Sequence, residues 1–364
     1  TYGQDLLLAP RGGPIYLWNN NTSTFAPAVL LQEDAVVDGY SALAPFIPNN
    51  TNQVLISDVS RFLIAMGANG YDPLDPNTPF DPLLVRWSDQ ENLYDWVPTA
   101  TNQAGEQKLT NGSYIVVAKK TRQEILIWTD AALYSMQYLG PPYTWGFQLM
   151  MDNLSVMSPN SVSIVNNVAY WMGTDKFYTY SGRVETLPCS IRQYIFNDIS
   201  YDQRYQMMAG SNEGYNEVWW YYVSNTEVEL AAQENRDPAI DKYVIYNHLE
   251  RLWYYGSLSR TFWLDTPLQS NPIAAYGDSL GGTLLFHEYG NDDASTSAPV
   301  PIDAYIQSSD FDIGDGHNFG FVWRVIPDIT FAGSNSGYPQ VTMQIKPRQF
   351  SGSAYGPSDI DDIV

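Results

Sequence analysis

The stretch that decides the fold is NNVAYWMGTDKFYTYSGRV, residues 166–184. Its two runs, VAYWMG and KFYTYSG, are rich in the aromatic and β-branched residues that favour strands. Gly173-Thr174-Asp175 lies between them and supplies residues typical of turns. We therefore predict a β-hairpin buried between neighbouring sheets, since both of its faces are largely apolar. Alternation places Val168, Tyr170 and Met172 on one face, and Ala169, Trp171 and Gly173 on the other.

Comparable strand patterns recur along the whole chain of 364 residues. They fall into groups of three or four strands, each group about 40–55 residues long, which is the spacing of propeller blades. Helical patterns are scarce: 190–203 predicts a short helix, and the polar segment 226–236 reads as a helix-capable insertion on a loop. We predict an all-β protein, with a β-propeller of roughly six to eight blades over 1–300 and extra β-strands over 301–364 that close or extend it. A pair of β-sandwich domains is the alternative, and strand order separates the two.

The composition excludes several classes of function. Aromatic residues make up 14% of the chain and charged residues 16%, which is unlike a disordered protein. The net charge is −22 with only 18 Lys and Arg, and the longest basic run is Lys119-Lys120. A protein that binds nucleic acid tightly needs clustered cations to neutralise phosphates, so such a function is not expected.

The single cysteine, Cys189, excludes an internal disulfide. No apolar run is long enough to predict a membrane span.

Two short motifs could carry chemistry, and neither fits its context. Ser279 lies in GDSLG, which matches the nucleophile elbow G-x-S-x-G, but the segment after it reads as a strand where the elbow needs a helix. A Gly-rich hairpin turn explains it better, and nothing places His287 against the serine. Asp310, Asp312 and Asp315 resemble calcium ligands but fail the EF-hand spacing. We therefore predict no catalytic, cofactor-binding or metal-binding residues, and no enzyme activity.

A carbohydrate-active or carbohydrate-binding β-propeller is the alternative function. The aromatic runs at 218–223 and 251–257 could stack on sugars. The segment 211–219 approaches the Asp-box of sialidase propellers, but it has Glu213 where the motif has Asp, and Trp219 falls one position late. The aromatic runs are better explained by alternate residues that pack between sheets.

Several separated blocks, in one order over most of the chain, resemble a single family. The family is that of the tail hub or nozzle proteins, also called packaged-DNA stabilisation proteins, of short-tailed bacteriophages. The blocks that carry the resemblance include RGGPIY (11–16), VRWSDQEN (85–92), ILIWTDAALYSMQYLGPPYTWGF (125–147), VAYWMGTDKFYTYSGRVETLPC (168–189), DKYVIYNHLERLWYYGSLSRTFWLD (241–265) and FDIGDGHNFGFVWRVIPD (311–328).

The resemblance implies a structural virion protein that is assembled in the bacterial cytoplasm and resides in the tail. It implies a ring of copies, expected to be a hexamer, below the portal and its adaptor. The ring would continue the DNA channel, help to retain and eject the genome, and contact fibres, spikes or a tip protein. It also implies residues upstream of Thr1 in the full protein. Double-stranded DNA would pass without sequence-specific binding. The excess of acidic over basic residues suggests a channel lined by carboxylates. No cofactor and no membrane partner are expected.

Overall fold

A computed structural model describes most of the chain, and nearly all of its regular structure is β. The chain divides into two compact units, Thr1–Val300 and Pro301–Val364. No helix in the described part is long and apolar enough to span a membrane. The structure describes all residues except 1, 21–25, 59, 266–269, 279–280, 294–299, 303, 309, 311–317, 319, 322, 334–336, 351, 355–359 and 364.

The first unit contains six antiparallel sheets, each made of strands consecutive in the chain. We call them blades 1 to 6. Blade 1 contains β1 (Leu6–Leu8), β2 (Tyr16–Trp18) and β3 (Val29–Leu30), and blade 2 contains β4 (Thr51–Ile56), β5 (Leu63–Asn69), β6 (Phe80–Trp87) and β7 (Gly105–Lys108). Blade 3 contains β8 (Ile115–Lys120), β9 (Ile125–Thr129), β10 (Ala132–Gly140) and β11 (Thr144–Asp152), and blade 4 contains β12 (Val162–Val165), β13 (Val168–Met172), β14 (Phe177–Tyr180) and β15 (Val184–Leu187). Blade 5 contains β16 (Met208–Asn212), β17 (Glu217–Tyr222), β18 (Lys242–Asn247) and β19 (Leu252–Ser257), and blade 6 contains β20 (Phe262–Leu264), β21 (Ile273–Asp278) and β22 (Gly281–Phe286).

Five apolar cores join the blades in chain order. They lie between blades 1 and 2, 2 and 3, 3 and 4, 4 and 5, and 5 and 6. A strand serves two cores because its successive side chains point to opposite faces. In β9, Ile125 and Ile127 pack toward blade 2, whereas Leu126 and Trp128 pack toward blade 4. This serial packing confirms the predicted propeller, with six blades, and not the pair of sandwiches.

The hairpin at 166–184 forms β13 and β14 of blade 4, as predicted. Ala169 and Trp171 enter the core shared with blade 3, and Tyr170 and Met172 contact the core shared with blade 5. Trp171 is fully buried, with its ring 5.4 Å from that of Trp128. The aromatic cluster therefore packs between blades.

Three α-helices interrupt the strands in the described part of the chain. They are α1 (Leu31–Val37), α2 (Arg192–Asp198) and α3 (Asn225–Glu234). Helix α2 is shorter than the predicted 190–203, because Ile199 leaves the helix and pairs with Ser224 in an isolated bridge. The insertion at 226–236 forms a helix, since the Ser224 hydroxyl accepts a hydrogen bond from the Glu227 backbone N–H at 3.0 Å and caps its first turn.

The second unit has little regular structure. Strand β23 (Asp292–Asp293) pairs with β24 (Val300–Pro301), which lies at the boundary between the two units. The described residues of the second unit form one further pair, β25 (Thr342–Gln344) with β26 (Ile360–Ile363). Extra β-strands are expected over 301–364, and runs such as 303–309 and 321–331 have strand-like sequences, but their described residues form no strand, which is a correction to that expectation. Phe321, Trp323 and Ile326 are exposed, so these apolar runs have no neighbouring sheet against which to pack as strands.

Candidate functional site: a cationic cavity and two end faces

The first strands of the blades converge and line a cavity in the first unit. Strand β4 contacts β8, and β16 contacts both β12 and β20. A cavity of about 360 Å³ adjoins a second one of about 320 Å³, and the two share Arg11, Asn52, Pro159 and Tyr205 in their lining. Five blades contribute to this lining: blades 2 and 3 through their strands, blades 4 and 5 through the segment before the first strand, and blade 1 through Arg11 between β1 and β2. We call it the cationic cavity.

Three positive side chains line the cationic cavity: Arg11, Lys119 and Arg204. Among the described residues, no Asp or Glu lines it. Arg11 donates from Nη2 to the Val116 carbonyl at 2.7 Å. The Arg204 guanidinium lies 4.8 Å from the centre of the Tyr205 ring. These contacts orient the two arginines through partners that carry no negative charge.

Lys119 lies on β8, half-buried against the neighbouring first strands. Burial lowers its pKa, because the charged ammonium loses water contacts. Beside it, Gln53 of β4 donates from Nε2 to the Ala118 carbonyl at 2.8 Å and accepts from the Ala118 N–H at 2.8 Å. This side-chain amide holds β4 against β8 and so fixes the wall that carries Lys119.

A second feature is the outer face of blade 6, which carries four apolar residues. Trp263 and Ala274 on the opposite face are buried in the core shared with blade 5. The cross-strand register places the other side chains on the free face. This blade 6 end face comprises Phe262, Leu264, Leu284 and Phe286, which are 46%, 39%, 72% and 58% exposed.

The outer face of blade 1 is its counterpart. Leu7 and Leu17 face blade 2, and the register turns the neighbouring residues the other way. The blade 1 end face comprises Leu6, Leu8, Tyr16 and Trp18, with Leu6 and Leu8 exposed and the two aromatic rings half-buried. In the described part of the chain, no apolar core joins blade 6 to blade 1.

The motifs considered from the sequence contribute no described residue to the lining of the cationic cavity. Ser279 lies outside the described residues, but the strands on either side of it, β21 and β22, pair with each other as a hairpin. Strand β22 is thus the strand that the sequence predicts after the motif. His287 Nε2 accepts a hydrogen bond from Arg260 Nε at 2.8 Å, and its ring packs on Trp263.

The predicted calcium-like turn is described only at its start. Asp310 forms an ion pair with Arg348 at 2.5 Å, and Asp312 and Asp315 lie outside the described residues. The described residues contain no group of three or more His, Cys, Asp or Glu placed to hold a metal ion. Cys189 is half-buried, and burial raises the pKa of its thiol to about 11.

The two aromatic runs differ from each other in the structure. Trp219, Trp220, Tyr221 and Tyr222 of β17 are buried between blades, as the packing interpretation predicted. Tyr254 and Tyr255 of β19 are exposed, at the outer edge of blade 5. Neither the cationic cavity nor the end faces were identified from sequence, because both depend on which blades become neighbours.

Comparisons with known proteins give only distant likenesses. No family model matches the chain, and no curated protein matches it. Among solved structures, the N-terminal domain of Nup159 is 11% identical, with 67% of this chain and 56% of that chain covered and a TM-score of 0.32. The CNH domain of AfRom2 is 9% identical (79% and 92% covered, TM-score 0.35), and PorZ of Porphyromonas gingivalis is 11% identical (84% and 37% covered, TM-score 0.28). The chain thus spans about half of the Nup159 chain that it matches, and likenesses this distant carry no argument about function.

Proposed function

We propose that this protein is a structural subunit of the tail hub or nozzle of a short-tailed bacteriophage. In this role, copies form a ring that continues the DNA channel below the portal and adaptor and helps to retain and eject the genome. Two lines support the proposal: the family resemblance of the sequence blocks, and the two end faces, which offer each copy a surface for the next. The end faces are the observation on which the proposal depends.

The two end faces have the character of the five internal blade contacts. Within the chain, each blade packs one face on the following blade and the other face on the preceding blade. The blade 6 end face is the face that would pack on a following blade, and the blade 1 end face is the one that would pack on a preceding blade. We infer that blade 6 of one copy packs on blade 1 of another. Such a contact joins two different surfaces and is head-to-tail, and it generates a ring when the rotation between copies closes.

The size of the end faces indicates how strongly copies associate. Fully burying one large apolar side chain contributes about 1.5–3 kcal/mol. The eight side chains of the two faces are on average roughly half exposed, so their burial contributes roughly 6–12 kcal/mol. Association costs about 4–15 kcal/mol in lost freedom and ordering. Because the two quantities are similar, we expect free copies to associate weakly and the ring to form on a platform such as the adaptor.

The charge of the chain suits a conduit for DNA. With a net charge of −22, most of its surface repels phosphates. A channel wall that bound the backbone tightly would slow a translocating duplex, so we expect carboxylates to line the bore of the ring.

Electron microscopy of virions labelled with an antibody against this chain tests the proposed role. The expected result is label at the tail vertex, below the portal. Label on the capsid shell, or no label on purified virions, would overturn the role. So would sugar hydrolysis by the purified chain that one Asp or Glu substitution abolishes, since this is the behaviour of a carbohydrate-active propeller.

A further inference from the structure

The cations of the cationic cavity differ from most others in this chain. Nine lysines and arginines in the described part lie within 4.0 Å of a carboxylate. In a chain with 40 Asp and Glu and 18 Lys and Arg, such pairing is expected. Arg11, Lys119 and Arg204 make none of the ion pairs in the described part. Lys119 lines the first of the two adjoining cavities, Arg204 lines the second, and Arg11 lines both.

Cations that line adjoining cavities with no carboxylate in the lining are unfavourable. Like charges repel, and the repulsion is stronger where walls of protein exclude water. Lys119 also loses hydration on β8. The carbonyl and ring contacts of the two arginines offset only part of this cost, because neither the Val116 carbonyl nor the Tyr205 ring carries a negative charge.

We propose that the cationic cavity binds a small multivalent oxyanion bearing phosphate groups. Guanidinium groups bind phosphate oxygens through paired hydrogen bonds, and the lysine adds a compact charge. The Asn160 side chain, also in the lining, is a further polar group beside the anion. The two adjoining cavities, of about 360 Å³ and 320 Å³, share Arg11 and together lie within the size range of ligand sites, which leaves room for an anion of diphosphate size or larger. This site is separate from the end faces, so the inference does not depend on the proposed tail function.

Calorimetric titration with inorganic pyrophosphate at low ionic strength tests the inference. We expect saturable binding of one pyrophosphate per chain, weakening as salt is added. Lys119→Met and Arg204→Gln should each weaken the affinity at least about tenfold, because each removes one charge-assisted contact.

Lys120→Met is the matched control. It removes the same charge from the next residue of β8, which is paired with Asp58 at 2.5 Å and does not line the cavity. We expect it to leave the affinity unchanged within about twofold. Thermal unfolding of all three variants checks that they fold. If Lys119→Met does not fold, Arg204→Gln still tests the inference.

Three results would overturn the inference. The first is the absence of saturable pyrophosphate binding to the unmodified chain, and the second is an equal loss of affinity in the Lys120→Met control. The third is displacement of pyrophosphate by a short DNA duplex, which would assign the cations to a nucleic-acid backbone instead of a small free anion.

Discussion

Arg86 is a buried charge whose removal tests how blade 2 and the segment before it are held together. It lies on β6 with its side chain 2% exposed. Nη1 donates to the carbonyls of Asn69 at 2.9 Å and Gly70 at 3.3 Å. Nη2 donates to the carbonyls of Phe46 and Trp96, both at 3.1 Å. The guanidinium thus ties the end of β5 to the segment before β4, through Phe46, and to the loop between β6 and β7, through Trp96.

We predict that Arg86→Met destabilises the propeller by about 3–5 kcal/mol. The substitution leaves four carbonyls without their donor, at about 1–3 kcal/mol for each that stays buried. Part of this loss is offset, because the desolvation of a buried guanidinium, which lowers the pKa of Arg86 to about 10, is removed. Arg86→Lys keeps a charge but cannot reproduce the planar fork, so we expect an intermediate loss.

Urea unfolding followed by tryptophan fluorescence measures this effect. The control is Arg183→Met, since the side chain of Arg183 is 82% exposed and paired with Glu185 at the surface. The control should change the unfolding free energy by less than about 0.5–1 kcal/mol. If Arg86→Met were no more destabilising than Arg183→Met, the reasoning about the buried guanidinium would be wrong.

Three further predictions concern the blades. Trp171→Ala removes a fully buried ring from the core between blades 3 and 4 and should cost about 3–5 kcal/mol in urea unfolding; a loss below about 1 kcal/mol would contradict the packing. Gly210→Ala would place a Cβ 2.4 Å from Cδ1 of Trp263, so thermal unfolding should show a loss of about 1–3 kcal/mol, whereas Gly214→Ala, 3.7 Å from its nearest neighbour, should be nearly neutral. The unfolding free energy should fall above about pH 10, because unfolded tyrosines ionise there, while burial and the hydrogen-bonded Glu124 carboxylate raise the pKa of Tyr180 in the folded protein. Tyrosinate absorbance and the unfolding free energy, each measured against pH, test this, and an unfolding free energy that does not change with pH would contradict it.

The sequence predicts the local structure of the blades well, because both faces of blades 2 to 5 are buried and their strands are therefore apolar on both sides. The aromatic residues of the hairpin at 168–180 are divided between two cores, and the alternation of the strand residues predicts this from the sequence. The same signal misleads at 321–331. That run reads as a strand, but Trp323 and its neighbours are exposed and have no sheet to join.

The candidate site could not be predicted, because it arises from contacts between distant parts of the chain. Arg11, Lys119 and Arg204 are far apart in sequence, and each looks like an isolated surface cation. They meet because the first strands of successive blades converge. The end faces are likewise invisible in sequence, since Phe286 and Leu8 read like the buried residues of any other blade.

A high-resolution electron cryomicroscopy map of the assembled virion tail tests the central claim most directly. The account predicts that the blade 6 end face of one copy packs on the blade 1 end face of the next, with Phe286 in contact with Leu8 across the subunit boundary. A map in which the two end faces of a single chain pack on each other, or in which both faces remain in solvent, would contradict it.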